Sequence, residues 1–172
     1  MKKHINLLIL LAIISCNRIV PDQKEIENKI HSLYAMKESI YEVVVDTSLF
    51  SKDLVEELNN LKRVRKMDEE RIRRSEHPGD KPIMIEGSFF SSLMDGYTEY
   101  AIKGISIEDS SAEVMVEFIY PSDPVEKWQD KVVLVNEKGW KINDVIFSSP
   151  MTKDKNLKER LIAVKSQLKG GH

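Results

Sequence analysis

The chain has no second cysteine to pair with Cys16. No intramolecular disulfide can therefore staple it, and stability has to come from packing alone. Its longest apolar run, Leu7 to Ile14, stops after eight residues, well short of the roughly 20 needed to span a bilayer as a helix. Neither sign of charge dominates: 26 basic against 28 acidic residues give a formal charge of −2. Nucleic acid is not expected as a partner, because it asks for a strongly basic face. The seven glycines form neither Gly-x-Gly-x-x-Gly nor a Walker pattern, so no loop is built to cradle phosphate. The histidines are scattered, and no pair has the i, i+4 spacing that presents two ligands to one metal. No metal and no cofactor is expected. A serine nucleophile lacks its Gly-x-Ser-x-Gly setting, and Phe89-Phe90-Ser91-Ser92 reads better as a packed turn.

What is present begins at the amino terminus. Lys2 and Lys3 precede the apolar run, and Ser15-Cys16 follows it, the order of a secretory signal peptide. Ile13-Ile14-Ser15-Cys16 resembles the lipobox of bacterial lipoproteins. That resemblance implies cleavage before Cys16, lipid on its thiol and acylation of the new terminus, which would consume the sole cysteine as an anchor. The expected organisation is a signal peptide over 1–15, a lipidated tether over 16–21, one domain over 22–168 and a disordered tail over 169–172. Removing the signal takes away Lys2 and Lys3 but no acid, so the mature charge moves from −2 to −4. Each buried acyl methylene contributes about 0.8 kcal/mol, and two or more chains hold a protein on a membrane. Asn17 rather than aspartate after the cysteine implies the outer membrane, with the domain facing the periplasm.

Asp22 and Glu25 stand as a capping pair, and Ile26, Ile30, Leu33, Ile40 and Val44 extend one helical face beyond them. That helix is expected to fade through Val43-Val44-Val45. A second is expected after a capping Ser51, with Phe50 and Val55 placed as a hydrophobic staple and Leu54, Leu58 and Leu61 as its buried stripe. Past Leu61 the mixed charges, Asp68 among them, read as a solvated face. From Tyr97 the period changes to two. Strands are expected over Tyr97 to Ile107, Ala112 to Tyr120, Lys131 to Asn136 and Trp140 to Phe147, with a bulge at Gly104. Hairpin turns fall at 108–111 and 137–139, a loop at Pro121 to Lys127, and a closing amphipathic helix at Asn156 to Leu168. The expected fold is α+β, with amino-terminal helices packed on a curved antiparallel sheet of about four strands.

The segment from Ile85 to Thr98, together with Val132 to Val135, Gly139-Trp140-Lys141-Ile142-Asn143-Asp144-Val145 and Leu157 to Leu161, resembles a family of uncharacterised bacterial lipoprotein domains. The likeness covers most of the mature chain. It implies a cone fold similar to nuclear transport factor 2, of the cystatin-like kind. Relatives in that family carry Gly-Asp where this chain has Gly87-Ser88, so any role of that acid is missing here. The family brings no activity with it. A cone-fold isomerase or dehydratase would need a carboxylate facing a phenol in an apolar pocket. Glu86, Asp95 and Asp144 could supply the first, and Tyr34, Tyr41, Tyr97, Tyr100 and Tyr120 the second. The favoured expectation is a non-catalytic domain that binds a protein partner in the envelope. Phe89, Phe90, Met94, Tyr97, Tyr120 and Trp128 are the candidate contact residues. A small-ligand site and a periplasmic immunity or inhibitor protein are the alternatives.

Overall fold

The computed structural model describes residues 22–36, 39–85, 87–92, 96–150 and 152–167. The signal, the tether with Cys16, Glu86, Leu93, Met94, Asp95 and the tail lie outside those residues. Three helices and a four-stranded antiparallel sheet form the expected α+β fold with a curved sheet. Among the described residues no helix is long and apolar enough to cross a membrane.

The first helix, α1, occupies residues 22–34. Its stripe of Ile26, Ile30 and Leu33 is at most 1% exposed. Asp22 and Glu25 do more than begin it. The Trp140 backbone N–H donates to Glu25 Oε1 at 3.0 Å and its indole N–H to Asp22 Oδ1 at 3.2 Å, tying the helix to the sheet. The helix ends earlier than its apolar spacing implies. Ile40 does reach the core, but from a turn, and Val44 is 91% exposed. Two forces oppose continuation. The valine run disfavours helix, and Leu49 to Ser51 bond to the edge of the sheet, Ile142 N–H to the Leu49 carbonyl at 2.9 Å and Ser51 N–H to the Ile142 carbonyl at 2.8 Å.

Helix α2 spans Lys52–Arg73. Ser51 caps it as expected, its Oγ accepting the Leu54 N–H at 3.2 Å, and Leu54, Leu58 and Leu61 are fully buried. Asp68 departs from the solvated-face reading. It continues the buried stripe at only 3% exposure. One oxygen accepts the Ile83 N–H at 2.7 Å, and the other faces Arg71 at 2.7 Å. An acid sits there because an extended backbone segment needs an acceptor.

The strands β1 (Glu99–Glu108), β2 (Ser111–Tyr120), β3 (Glu126–Asn136) and β4 (Trp140–Ile146) form a meander in that order. The pairing of β1 with β2 slips between Ile102 and Gly104, where the change of apolar parity placed a bulge. Asp109 and Lys138 take positive φ at the two tight turns. Gly139 follows at φ 128, and a β-carbon there would lie 3.3 Å from Glu25 Oε1. β3 starts at Glu126, earlier than expected, because it pairs with the whole of β2, from Tyr120↔Glu126 to Ser111↔Val135. Val114, Val116, Phe118, Val132 and Leu134 are fully buried in the core that the sheet shares with the helices. The opposite face carries the pairs Lys103–Glu117 and Lys131–Glu113, each at 3.0 Å, and behaves as a wet surface. Helix α3, Leu157–Gln167, packs on α2 and β4 through Leu157, Leu161 and Val164.

Candidate functional site

Where α1 ends, the chain leaves a cleft of about 450 Å³ between the 39–41 turn and the segment around 84–90. Tyr34, Tyr41, Met84, Phe89, Phe90 and Tyr97 line it. The Tyr34 ring meets Tyr97 edge-on at 5.9 Å and Phe118 at 5.1 Å, so the floor is a continuous aromatic layer on the sheet. Phe90 stacks on Phe50 at 5.7 Å and belongs to the core. Phe89 packs against Phe90 at 4.8 Å and stays half-buried at the wall. Tyr41 accepts the Ile85 N–H at 2.7 Å, and the Arg65 guanidinium lies 4.4 Å above its ring.

Burial raises all three phenols above the ordinary tyrosine value, so they stay neutral further into alkaline solution. It pushes Tyr97 up to about 12, helped by Tyr100. Tyr34 rises well above the usual tyrosine range, through burial first and then the charge of Asp130. Tyr41 rises less, since the Ile85 N–H and Arg65 favour its anion. Neutral phenols offer hydrogen-bond donors and apolar ring faces, and none of the described lining residues is charged.

The wall is held from behind by two residues that the sequence reading did not single out. Arg160, 6% exposed on α3, donates to the Ser88 carbonyl at 2.9 Å, the Phe89 carbonyl at 3.3 Å and the Ser91 carbonyl at 3.1 Å. Its other nitrogens bond Asp154 at 3.2 Å and Thr152 at 3.0 Å, and the guanidinium lies 3.8 Å over Phe147. Burial lowers its pKa, and Asp154 and Asp130 oppose that shift. Asp130, fully buried on β3, accepts the Ser92 N–H at 2.7 Å and the Ser148 N–H at 3.0 Å. Both signals are visible in hindsight. Arg160 sits three residues after Leu157 on the buried helix face, and Asp130 shares the inward parity of Val132 and Leu134.

The remaining candidates divide. Phe89, Phe90 and Tyr97 meet at the cleft, and Met94 lies outside the described residues. Trp128 stacks on Phe118 at 5.6 Å and lines a different cleft beside Ser148 and Pro150. Tyr120 closes β2 opposite Glu126. Of the carboxylates weighed for catalysis, Asp144 accepts the Val145 N–H at 2.8 Å and the Lys158 N–H at 3.3 Å at the start of α3. Burial raises its pKa, against those donors. Glu86 and Asp95 are not described. His31 is exposed, with Nδ1 2.9 Å from the Tyr100 hydroxyl, and no group of metal-ligating side chains occurs among the described residues. Compared with protein-family models, curated proteins and solved structures, the chain matches none.

Proposed function

We propose that the chain is a bacterial envelope lipoprotein of the cone-fold family it resembles, anchored through acyl groups on Cys16 at the periplasmic face of the outer membrane. Its domain docks a protein partner and catalyses no reaction. The observation that supports docking is the lining of the cleft: mostly aromatic and aliphatic side chains with Ser39 and Ser88 among them, uncharged among the described residues, and with Met84 44% exposed. Surfaces of this kind anchor a few apolar side chains of a partner, and such anchors carry most of the binding energy. A chemical step would need a group able to exchange a proton near neutral pH. The phenols are held neutral, and the carboxylates Asp130 and Asp144 lie outside the lining of the cleft, each occupied by backbone N–H groups, although burial raises the pKa of Asp144.

The volume of the cleft, about 450 Å³, also lies in the range of small-molecule sites, and this favours an apolar ligand as the second reading. One experiment separates the two. A photoreactive phenylalanine replaces Met84 in the full chain, expressed in its own cells, and products are identified by mass spectrometry. A Cys16→Ala chain controls for neighbours met only by sharing the membrane. One protein crosslinked in both chains supports docking. No protein adduct from either chain overturns it in favour of the small ligand.

A further inference from the structure

β3 overhangs its neighbour. It pairs with β2 along its whole length, but β4 joins it only from Lys131↔Ile146 onward. Residues 126–130 therefore have a strand on one side only. The chain turns away at Phe147, whose N–H bonds the Lys155 carbonyl at 2.9 Å. The direction of each backbone group follows from the ladder. Asn136 donates to Ser110 at 2.8 Å, on the β2 side, so even-numbered residues of β3 point their backbone groups there. The register with β2 is unbroken from Val135 to Glu126, and the parity holds to the end. Odd-numbered residues face the side that β4 has left, where the Ser148 hydroxyl already donates to the Gln129 carbonyl.

Lys127 N–H, Lys127 C=O and Gln129 N–H are thus directed into a notch of about 470 Å³ between residues 126–129 and 148–150. β4 offers them no partner, since its pairing with β3 begins only at Lys131. A second observation coincides with them. The indole N–H of Trp128, between those two residues, is buried and lacks an acceptor among the described residues. Buried donors without partners are rare in native proteins and call for an explanation such as a missing ligand.

The other edges of the sheet are protected. Leu49 to Ser51 and Asn156 close the outer side of β4. β1 carries Lys103 and the bulge at Gly104, devices that discourage strand addition. The overhang shares the lysine device through Lys127 but has neither bulge nor proline.

We propose that this notch accepts an extended segment of a partner protein as an added short strand, antiparallel to β3 and in line with β4. The incoming residue opposite Lys127 exchanges both backbone bonds with it, and a neighbouring carbonyl takes the Gln129 N–H. An acceptor side chain on the inward face, such as serine, threonine or asparagine, takes the Trp128 indole N–H. Main-chain pairing supplies the affinity and that side chain the selectivity. The surface is separate from the aromatic cleft, and either site can fail without the other.

The test uses amide NMR and hydrogen exchange on the full chain in detergent micelles. Its probe is a heptapeptide of alternating threonine and valine, beside the same peptide N-methylated at every residue. In the free protein the Lys127 and Gln129 amides should exchange fast while those of Trp128 and Asp130 are protected. The plain peptide at tenfold over its Kd should slow the first pair about tenfold and move the Trp128 indole proton downfield. The methylated peptide should do neither. The inference is overturned if Lys127 and Gln129 are already protected, if millimolar peptide shifts nothing, or if both peptides act alike.

Discussion

Arg160 and Ser88 lie 72 positions apart, and a guanidinium nitrogen of the one bonds the carbonyl of the other at 2.9 Å. That contact ties the carboxy-terminal helix to the wall of the aromatic cleft. The same nitrogen also serves Phe89 and Ser91, so one side chain holds three carbonyls of the wall. The cleft thus owes its shape to groups that do not line it.

Replacing Arg160 by alanine should remove those bonds and leave buried carbonyls without donors. The expected loss is about 3–5 kcal/mol of unfolding free energy, the scale for breaking a buried charged network, read from urea denaturation. Arg160→Lys should recover only part of it, since an ammonium cannot reproduce the planar fork. Full recovery by lysine would show that the charge alone matters.

Asp130→Asn keeps the shape of the side chain but weakens the acceptor facing Ser92 and Ser148. Hydrogen bonds to a charged group contribute about 1.5–3 kcal/mol, roughly twice those of neutral pairs. Unfolding should become easier by about 1–2 kcal/mol, and the Ser92 amide should exchange faster. An unchanged Ser92 amide would remove Asp130 from this role.

Tyr97 and Tyr34 make a prediction in alkaline solution. Both folded-state values lie above the ordinary tyrosine value of 10.0, that of Tyr97 at about 12. The unfolded chain therefore releases these protons first. Stability should be full below pH 10 and decline as the pH climbs from 10 through 12. Phenolate absorbance should show a fraction of the tyrosines titrating late in the native protein and normally in urea. Titration of every tyrosine together near pH 10 in the folded state would contradict the burial of the pair.

The wall and the core should respond differently to truncation. Phe118 is fully buried, and Phe118→Ala should cost about 3–5 kcal/mol. Phe89 is half-buried at the cleft. Phe89→Ala should cost less than half as much and leave the fold intact by circular dichroism. Similar losses at both positions would make Phe89 a core residue.

Much of the fold was legible because local and global preferences agree. Alternation along Ala112 to Phe118, the parity change at Gly104, the Ser51 cap and the glycine turn at 139 each have a local cause that the tertiary structure keeps. The failures share another cause. Asp22, Glu25 and Asp68 have locally plausible roles as caps or solvated charges, but their partners, Trp140 and Ile83, are remote or emerge only when the chain folds back. Helix α1 stops early because residues 49–51 are claimed by Ile142 more than 90 positions away. The cleft was half legible. Phe89 and Tyr97 could be named from their place beside a loop, whereas Met84 and Ile40 join the cleft only in three dimensions, and Arg160 and Asp130 show in the sequence as charges on buried faces but not as supports of the wall.

The most direct measurement compares the crosslinked product formed from position 84 in the otherwise native chain with that formed when Phe89→Ala is added. If the cleft docks a protein, one dominant product should fall about tenfold, the effect of losing an anchor of roughly 1.4 kcal/mol. An undiminished product, in a chain that stays folded and membrane-bound, would contradict the cleft as the docking site.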